Sequence, residues 1–187
     1  MSADDRRELV LAAATRAFSR GGYAGTSTDA VTKEAGVSQP YVVRIFGTKL
    51  ALFLEVLERS CERIRQAFVA VLDEGPFDPD SDDDWSRIGL AYTELLRDRD
   101  LLMVMMHGFS GGDVDEIARC SRQGMSRIFA TVRSTGCTDE RAQGFIAQGM
   151  LLNVMLSMRA TEHLDDDADL AALTTCAFGD ALPFVLA

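Results

Sequence analysis

Gln39, Pro40, Tyr41 and Arg44 stand within six consecutive residues, and their side chains match what the edge of a nucleic-acid duplex offers. A glutamine forms paired hydrogen bonds with adenine, proline and tyrosine make apolar contact with thymine methyls, and arginine pairs with guanine or phosphate. Two other groupings suggest different chemistry. Gly108-Phe109-Ser110-Gly111-Gly112 reads G-x-S-x-G after the apolar run Leu101 to Met106, with Asp113, Asp115 and His163 following in the chain order of a serine hydrolase triad. Asp78, Asp80, Asp82 and Asp84 alternate as in a calcium loop. That loop, however, needs a glycine at its sixth position and a bidentate glutamate at its twelfth, where Gly89 stands. Cys61, Cys120, Cys137 and Cys176 are scattered, without a CxxC pair or a histidine cluster, and indicate neither zinc nor a disulfide framework. No metal site and no cofactor are expected.

The elements that must position the first grouping are written around it. Residues 26–49, TSTDAVTKEAGVSQPYVVRIFGTK, lay out two short helices about a glycine turn. Thr26 is placed to cap the first helix, with Asp29 answering it in a capping box and Ala30, Val31 and Ala35 as the inward stripe. Gly36 ends that helix, because glycine takes the left-handed conformation a sharp exit requires, and Val37 plugs the angle between the helices. Ser38 is the next N-cap and Pro40 lies in the first turn, where its missing N–H breaks no intrahelical bond. Gln39, Pro40, Tyr41 and Arg44 then face outward. With Thr26, Ser27, Thr28, Ser38 and Lys49 they form the candidate DNA-contact set. The pattern is also that of any αα-hairpin with a glycine turn.

The hydrolase grouping lacks such support. A nucleophile elbow needs a multi-stranded parallel sheet, and the run before Ser110 is rich in methionine rather than β-branched residues, which favours helix. Beyond Lys49 the spacing of apolar residues predicts helices over Lys49 to about Leu72, Asp84 to Arg97, Asp100 to His107, Val114 to Ser134, Asp139 to His163 and Asp169 to about Leu182. A loop rich in Gly, Pro and Asp separates the first two.

Val10, Leu11, Ala13, Ala14, Ala17, Phe18, Gly22, Tyr23, Thr26, Ser27, Val31, Ala35, Gly36, Val37, Ser38, Phe46 and Lys49 fall in an order and spacing that resembles the amino-terminal domain of TetR-family transcriptional repressors. The match covers about the first quarter of the chain. It implies an all-α protein of about nine helices: a three-helix DNA-binding domain over residues 1–48 and a helical ligand-binding and dimerisation domain over 49–187. It further implies a double-stranded DNA operator, a small-molecule effector and a second copy of the chain as partners, with pairing through the last two long helices. Lys49 stands where the family offers a lysine to the DNA backbone. The chain departs from the family at Val43, Ile45, Thr32 and Leu50; the first two replace residues that contact phosphate.

Composition is compatible with that outline. A chain of 187 residues with 47% apolar content can bury one core or two small ones. Residues 1–49 hold seven Lys or Arg and five Asp or Glu, a balance of +2. The remaining twelve cations and twenty-four anions give −12, which together make the overall −10. A weakly basic head on an acidic body turns its head toward phosphates. No apolar run reaches the roughly 18 residues of a membrane span, and the polar opening is unlike a secretory signal, so a cytoplasmic protein is expected.

The body offers two further candidate sets. Ala142 to Met158 is apolar almost all round, as a helix buried on two sides would be. Phe145, Gly149, Leu152 and Leu156 on one side are assigned to a dimer seam. Trp85, Tyr92, Met103, Met106, His107, Phe109, Met125, Phe129 and Met155 are large, adaptable side chains suited to an apolar or amphipathic effector. The reading is a ligand-responsive, non-enzymatic transcriptional repressor. A helical scaffold without DNA binding is the alternative, and a hydrolase acting through Ser110 the remotest one.

Overall fold

Helical periodicity over most of the sequence becomes helix over most of the chain. A computed structural model describes residues 2–186. These hold nine α-helices of eight residues or more, a last one of five, two 3-10 turns and no strand. Two compact units emerge, one from residues up to 62 together with 99–124, the other from 63–98 together with residues from 125 onward. Helices α4 (Lys49–Asp73) and α7 (Asp115–Arg133) run from one unit into the other.

The first unit holds α1 (Ala3–Gly25), α2 (Thr28–Ala35), α3 (Gln39–Phe46), the start of α4, α6 (Arg99–Ser110) and the start of α7. A capping box opens α1, the Ser2 amide donating to Asp5 Oδ2 at 2.7 Å and the Asp5 amide to Ser2 Oγ at 3.0 Å. Val10, Phe18, Val31, Phe53, Leu57, Leu101 and Met105 are wholly buried, and the rings of Phe18 and Phe53 meet edge to face at 5.0 Å. Helix α6 packs along α1. The Ser19 hydroxyl lies 2.5 Å from Asp100 Oδ1, and Nε2 of His107 lies 3.1 Å from the Ser19 carbonyl, so that nitrogen carries the donated hydrogen. Close by, Gly22 interrupts α1 with φ 62°, and a Cβ there would come within 2.9 Å of His107 Nδ1. His107 is therefore a packing residue against α1.

The second unit holds the rest of α4, α5 (Asp82–Leu96), the end of α7, α8 (Asp139–Ser157), a 3-10 turn at Ala160–Glu162, α9 (Ala168–Phe178), a second turn at Gly179–Ala181 and α10 (Leu182–Leu186). Its core is aromatic at one end, where Phe68, Trp85, Tyr92 and Phe145 form a chain of ring contacts. The Tyr92 hydroxyl donates to Oδ1 of the buried Asn153 at 2.7 Å, which lets two polar groups share an apolar interior.

Several expectations change here. Helix α8 stops at Ser157, short of His163, because Arg159 adopts the left-handed conformation at φ 59° and turns the chain. The last expected helix breaks at Gly179, where φ is 49°. Ser110 lies at the end of α6 and its hydroxyl donates to the Met106 carbonyl at 2.7 Å; with no strand among the described residues, the sheet a nucleophile elbow requires is missing. In the aspartate loop, Asp84 accepts from the Asp78 amide and from Arg87, and these two bonds hold its carboxyl below the usual carboxylate range. That carboxylate closes the loop, and the Ser81 hydroxyl caps the helix that follows.

Candidate nucleic-acid interface

Helix α2 begins one residue later than the sequence suggests. The Thr26 hydroxyl is buried and donates to the Ala17 carbonyl at 3.1 Å, so it cannot cap α2 and offers nothing to a ligand. Ser27 is the N-cap instead, its hydroxyl accepting from the Ala30 amide at 3.0 Å, and no box with Asp29 forms. Val31, Thr32 and Ala35 face inward whereas Ala30 is exposed. Gly36 ends the helix at φ 65°, and the Val37 amide reaches back to the Thr32 carbonyl at 3.1 Å in a Schellman-type exit.

The chain then starts α3 at Ser38, whose backbone carbonyl accepts from Tyr41 at 3.0 Å while its hydroxyl makes no capping bond. The expected hydroxyl cap is thus absent, and an exposed Oγ stands at the helix start, where unsatisfied amides favour an anion. Val42 and Phe46 anchor α3 inward. Outward stand Gln39, Pro40 and Arg44, all exposed, while Tyr41 is half-buried with the Arg44 guanidinium 5.2 Å from its ring centre. The same surface carries two apolar side chains outside the candidate set, Val43 at 49% and Ile45 at 37% exposure. Their exposure on an otherwise well-anchored helix was the missed signal, since a β-branched residue reads as core in sequence.

Ser27 is exposed and Thr28 half-buried at the start of α2. Lys49 sits elsewhere in kind: its ammonium donates to the carbonyls of Tyr23 at 2.8 Å and Thr26 at 3.0 Å and lies 4.4 Å from the centre of the Tyr23 ring. This side chain fastens the end of α1 to the start of α4. Lys49→Met should therefore lower stability by roughly 1–3 kcal/mol through the lost charged hydrogen bonds; urea denaturation without DNA reads that loss, and an unchanged midpoint would return Lys49 to a purely phosphate-facing role. Glu34 holds two further cations, Arg16 at 2.8 Å and Arg20 at 2.6 Å, and its carboxyl is pulled below the usual carboxylate range by them. Because that folded value is depressed, the α1–α2 tie contributes fully above the ordinary glutamate range and is lost as pH falls below that range through the depressed value. Of the remaining cations on these helices, Lys33 and Arg44 are exposed.

Residues 10–56, a span that covers α2 and α3 and their anchors, match the family model of bacterial regulatory proteins, tetR family. Over these residues the chain is similar to the TetR family. The curated relatives that it resembles are HTH-type regulators. The chain is 36% identical over 74 residues to an HTH-type transcriptional activator, FasR, of Mycolicibacterium smegmatis, covering 37% of this chain and 34% of that one. It is 36% identical over 62 residues to an uncharacterized HTH-type transcriptional regulator, YhgD, of Bacillus subtilis, covering 33% and 32%. The chain thus spans about a third of the length of these relatives. Solved structures extend the likeness of fold further. A TetR-like transcriptional regulator from a Rhodococcus species superposes with a TM-score of 0.65 at 19% identity over 95% of this chain and 96% of that one. The fatty acid degradation regulator FadR from Bacillus halodurans does so with 0.69 at 14% identity over 94% and 97%. The TetR-like all-α fold therefore continues past the helix-turn-helix.

The other two candidate sets distribute as follows. Met103, Met106, His107 and Phe109 belong to the first unit, and Trp85, Tyr92, Met125, Phe129 and Met155 to the second. Met155 is core, its sulfur accepting from the Thr174 hydroxyl at 3.8 Å. The dimer set turns inward: Leu152 and Leu156 are buried within the second unit, Phe145 packs on Phe68 and Trp85, and a Cβ at Gly149 would lie 3.1 Å from the Tyr92 ring. Leu152 and Leu156, buried within one protomer, leave little surface for a partner, whereas Phe145 and Gly149 are half-buried.

Proposed function

We propose that this chain is a ligand-responsive transcriptional regulator, a repressor, that binds a palindromic DNA operator as a homodimer and is not an enzyme. The observation that carries the reading is α3. Eight residues anchored by Val42 and Phe46 hold Gln39, Pro40, Val43 and Arg44 clear of the protein, on the second helix of a TetR-type helix-turn-helix. The DNA-contact set is accordingly Ser27, Thr28, Ser38, Gln39, Pro40, Tyr41 and Arg44, with Val43 and Ile45 added, Thr26 withdrawn because it is buried, and Lys49 withdrawn because its ammonium is spent on the Tyr23 and Thr26 carbonyls. In the major groove the one apolar feature of a base pair is the thymine methyl, so an α3 bearing Pro40, Val43 and Ile45 is suited to thymine-rich half-sites.

The dimer seam is proposed on the outward sides of the last helices. Val154 on α8, Met158 at its C-cap, Leu173 on α9 and Phe184 on α10 are 39%, 52%, 46% and 55% exposed. Residues Ala168–Val185 are apolar enough to satisfy the composition of a membrane span, yet Gly179 divides them into helices of eleven and five residues. A broken helix leaves backbone groups unpaired in lipid, whereas a second copy of the chain covers the same surface without that cost. The effector is read as a small apolar or amphipathic molecule held by the second unit, and the location as cytoplasmic.

Selecting bound fragments from genomic DNA tests the regulator reading. A near-palindromic site with salt-sensitive affinity is expected, with Gln39→Ala costing roughly 1–3 kcal/mol at particular base pairs only. Replacing the thymines of a selected site by deoxyuridine should weaken binding, and weaken it less for Val43→Ala. Failure to prefer any duplex over random DNA would leave the scaffold reading in its place.

A further inference from the structure

Between the first turns of α5 and α8 the second unit has a hollow of about 420 Å³ lined by Trp85, Glu140, Arg141, Gly144 and Phe145. Its floor is aromatic and fixed. Trp85 is 7% exposed, its indole N–H donates to the Pro79 carbonyl at 2.9 Å, and its ring packs against Phe77 and Phe145 at 5.3 Å each. A cation already rests there, since the Arg141 guanidinium lies 5.2 Å from the indole centre while donating to the exposed Asp82 at 2.8 Å. Gly144 keeps the mouth clear, because a Cβ there would meet nothing within 4 Å and a longer side chain would project into open space.

Charge decides what the hollow accepts. The amino-termini of α5 and α8 would favour an anion, but each is already occupied by its own carboxylates, Asp82, Asp83 and Asp84 on one and Asp139 and Glu140 on the other. Against these five stand three guanidinium groups, Arg87 on Asp84, Arg133 on Asp139 and Arg141 on Asp82, which leaves an excess of two negative charges. We propose that this hollow binds a lipophilic organic cation, which takes the place of the Arg141 guanidinium on the face of Trp85 while Asp82 and Glu140 balance its charge. A delocalised cation with apolar substituents suits both the aromatic floor and the acidic rim.

Trp85 is the single tryptophan of the chain, so its emission reports on this site alone. Tetraphenylphosphonium added to the DNA-free, full-length protein should change that emission saturably, with the isosteric anion tetraphenylborate about tenfold weaker or worse. Arg141→Gln uncovers the ring and removes a positive charge, and should tighten tetraphenylphosphonium binding by about threefold or more. Glu140→Gln should weaken it. Gly144→Leu suits a helix better than glycine, so it should keep the circular dichroism of the parent and abolish binding. No saturable change, tetraphenylborate binding as tightly, weaker binding by Arg141→Gln or unaltered binding by Gly144→Leu would each overturn the proposal. Because no DNA is present, these results stand apart from those that test operator recognition.

Discussion

Replacing Val154 and Leu173 together by glutamate is expected to give a folded monomer whose operator affinity is lower by about a hundredfold or more. Both side chains are solvent-exposed in the single protomer, so the substitutions should leave its stability within about 0.5 kcal/mol. Four carboxylates then meet at a two-fold seam, since each glutamate appears on both copies. A monomer must bind its half-site without the second head held nearby, and that loss of effective concentration accounts for a factor of about 10² to 10⁴. Leu152→Arg supplies the contrast. Leu152 is 7% exposed inside the second unit, and an unpaired charge there should cost on the order of 4 kcal/mol and unfold the unit rather than separate two copies. Sedimentation and urea denaturation distinguish the two. If the glutamate pair stays dimeric, or if Leu152→Arg gives a stable monomer, the seam lies on the inner face after all.

That contrast shows where the sequence was informative and where it was not. Positions with a one-sided apolar pattern were legible: Lys49–Asp73 is a helix within one residue of its expected end, and Val42 and Phe46 turn inward so that Gln39, Pro40 and Arg44 face out. The span over Ala142 to Met158 was not, because a helix apolar on every side has no period to say which side meets the core. The packing of Gly149 on Tyr92 and the burial of Leu152, Asn153, Met155 and Leu156 orient it. Hydroxyl caps were ambiguous for a different reason. Thr26 and Ser27 are adjacent and chemically equal as caps, and the choice falls to Ser27 because Thr26 is claimed by the Ala17 carbonyl in the core. The turn at Arg159 has no sequence signal at all, being a left-handed residue that is neither glycine nor asparagine.

The junction between α1 and α6 lies in the same unit as the helix-turn-helix, and it should yield a large, non-additive response to mutation. Gly22→Ala forces a Cβ onto a residue at φ 62° and within 2.9 Å of His107 Nδ1, so strain and crowding together should cost about 2–4 kcal/mol. His107→Ala removes the donor to the Ser19 carbonyl and should cost about 1–2 kcal/mol, a milder loss because the vacated edge is half-buried. In the double variant the crowding disappears while the backbone strain remains. The two costs should therefore sum to more than the measured total, by on the order of 1 kcal/mol. Urea denaturation of all four proteins gives that difference directly. Strict additivity would mean that the imidazole moves aside freely and that Gly22 is required for its backbone conformation alone. A coupling of the expected size would instead establish α6 as a packed support for α1, so that any displacement of α6 must be accommodated by the helix that carries α2 and α3.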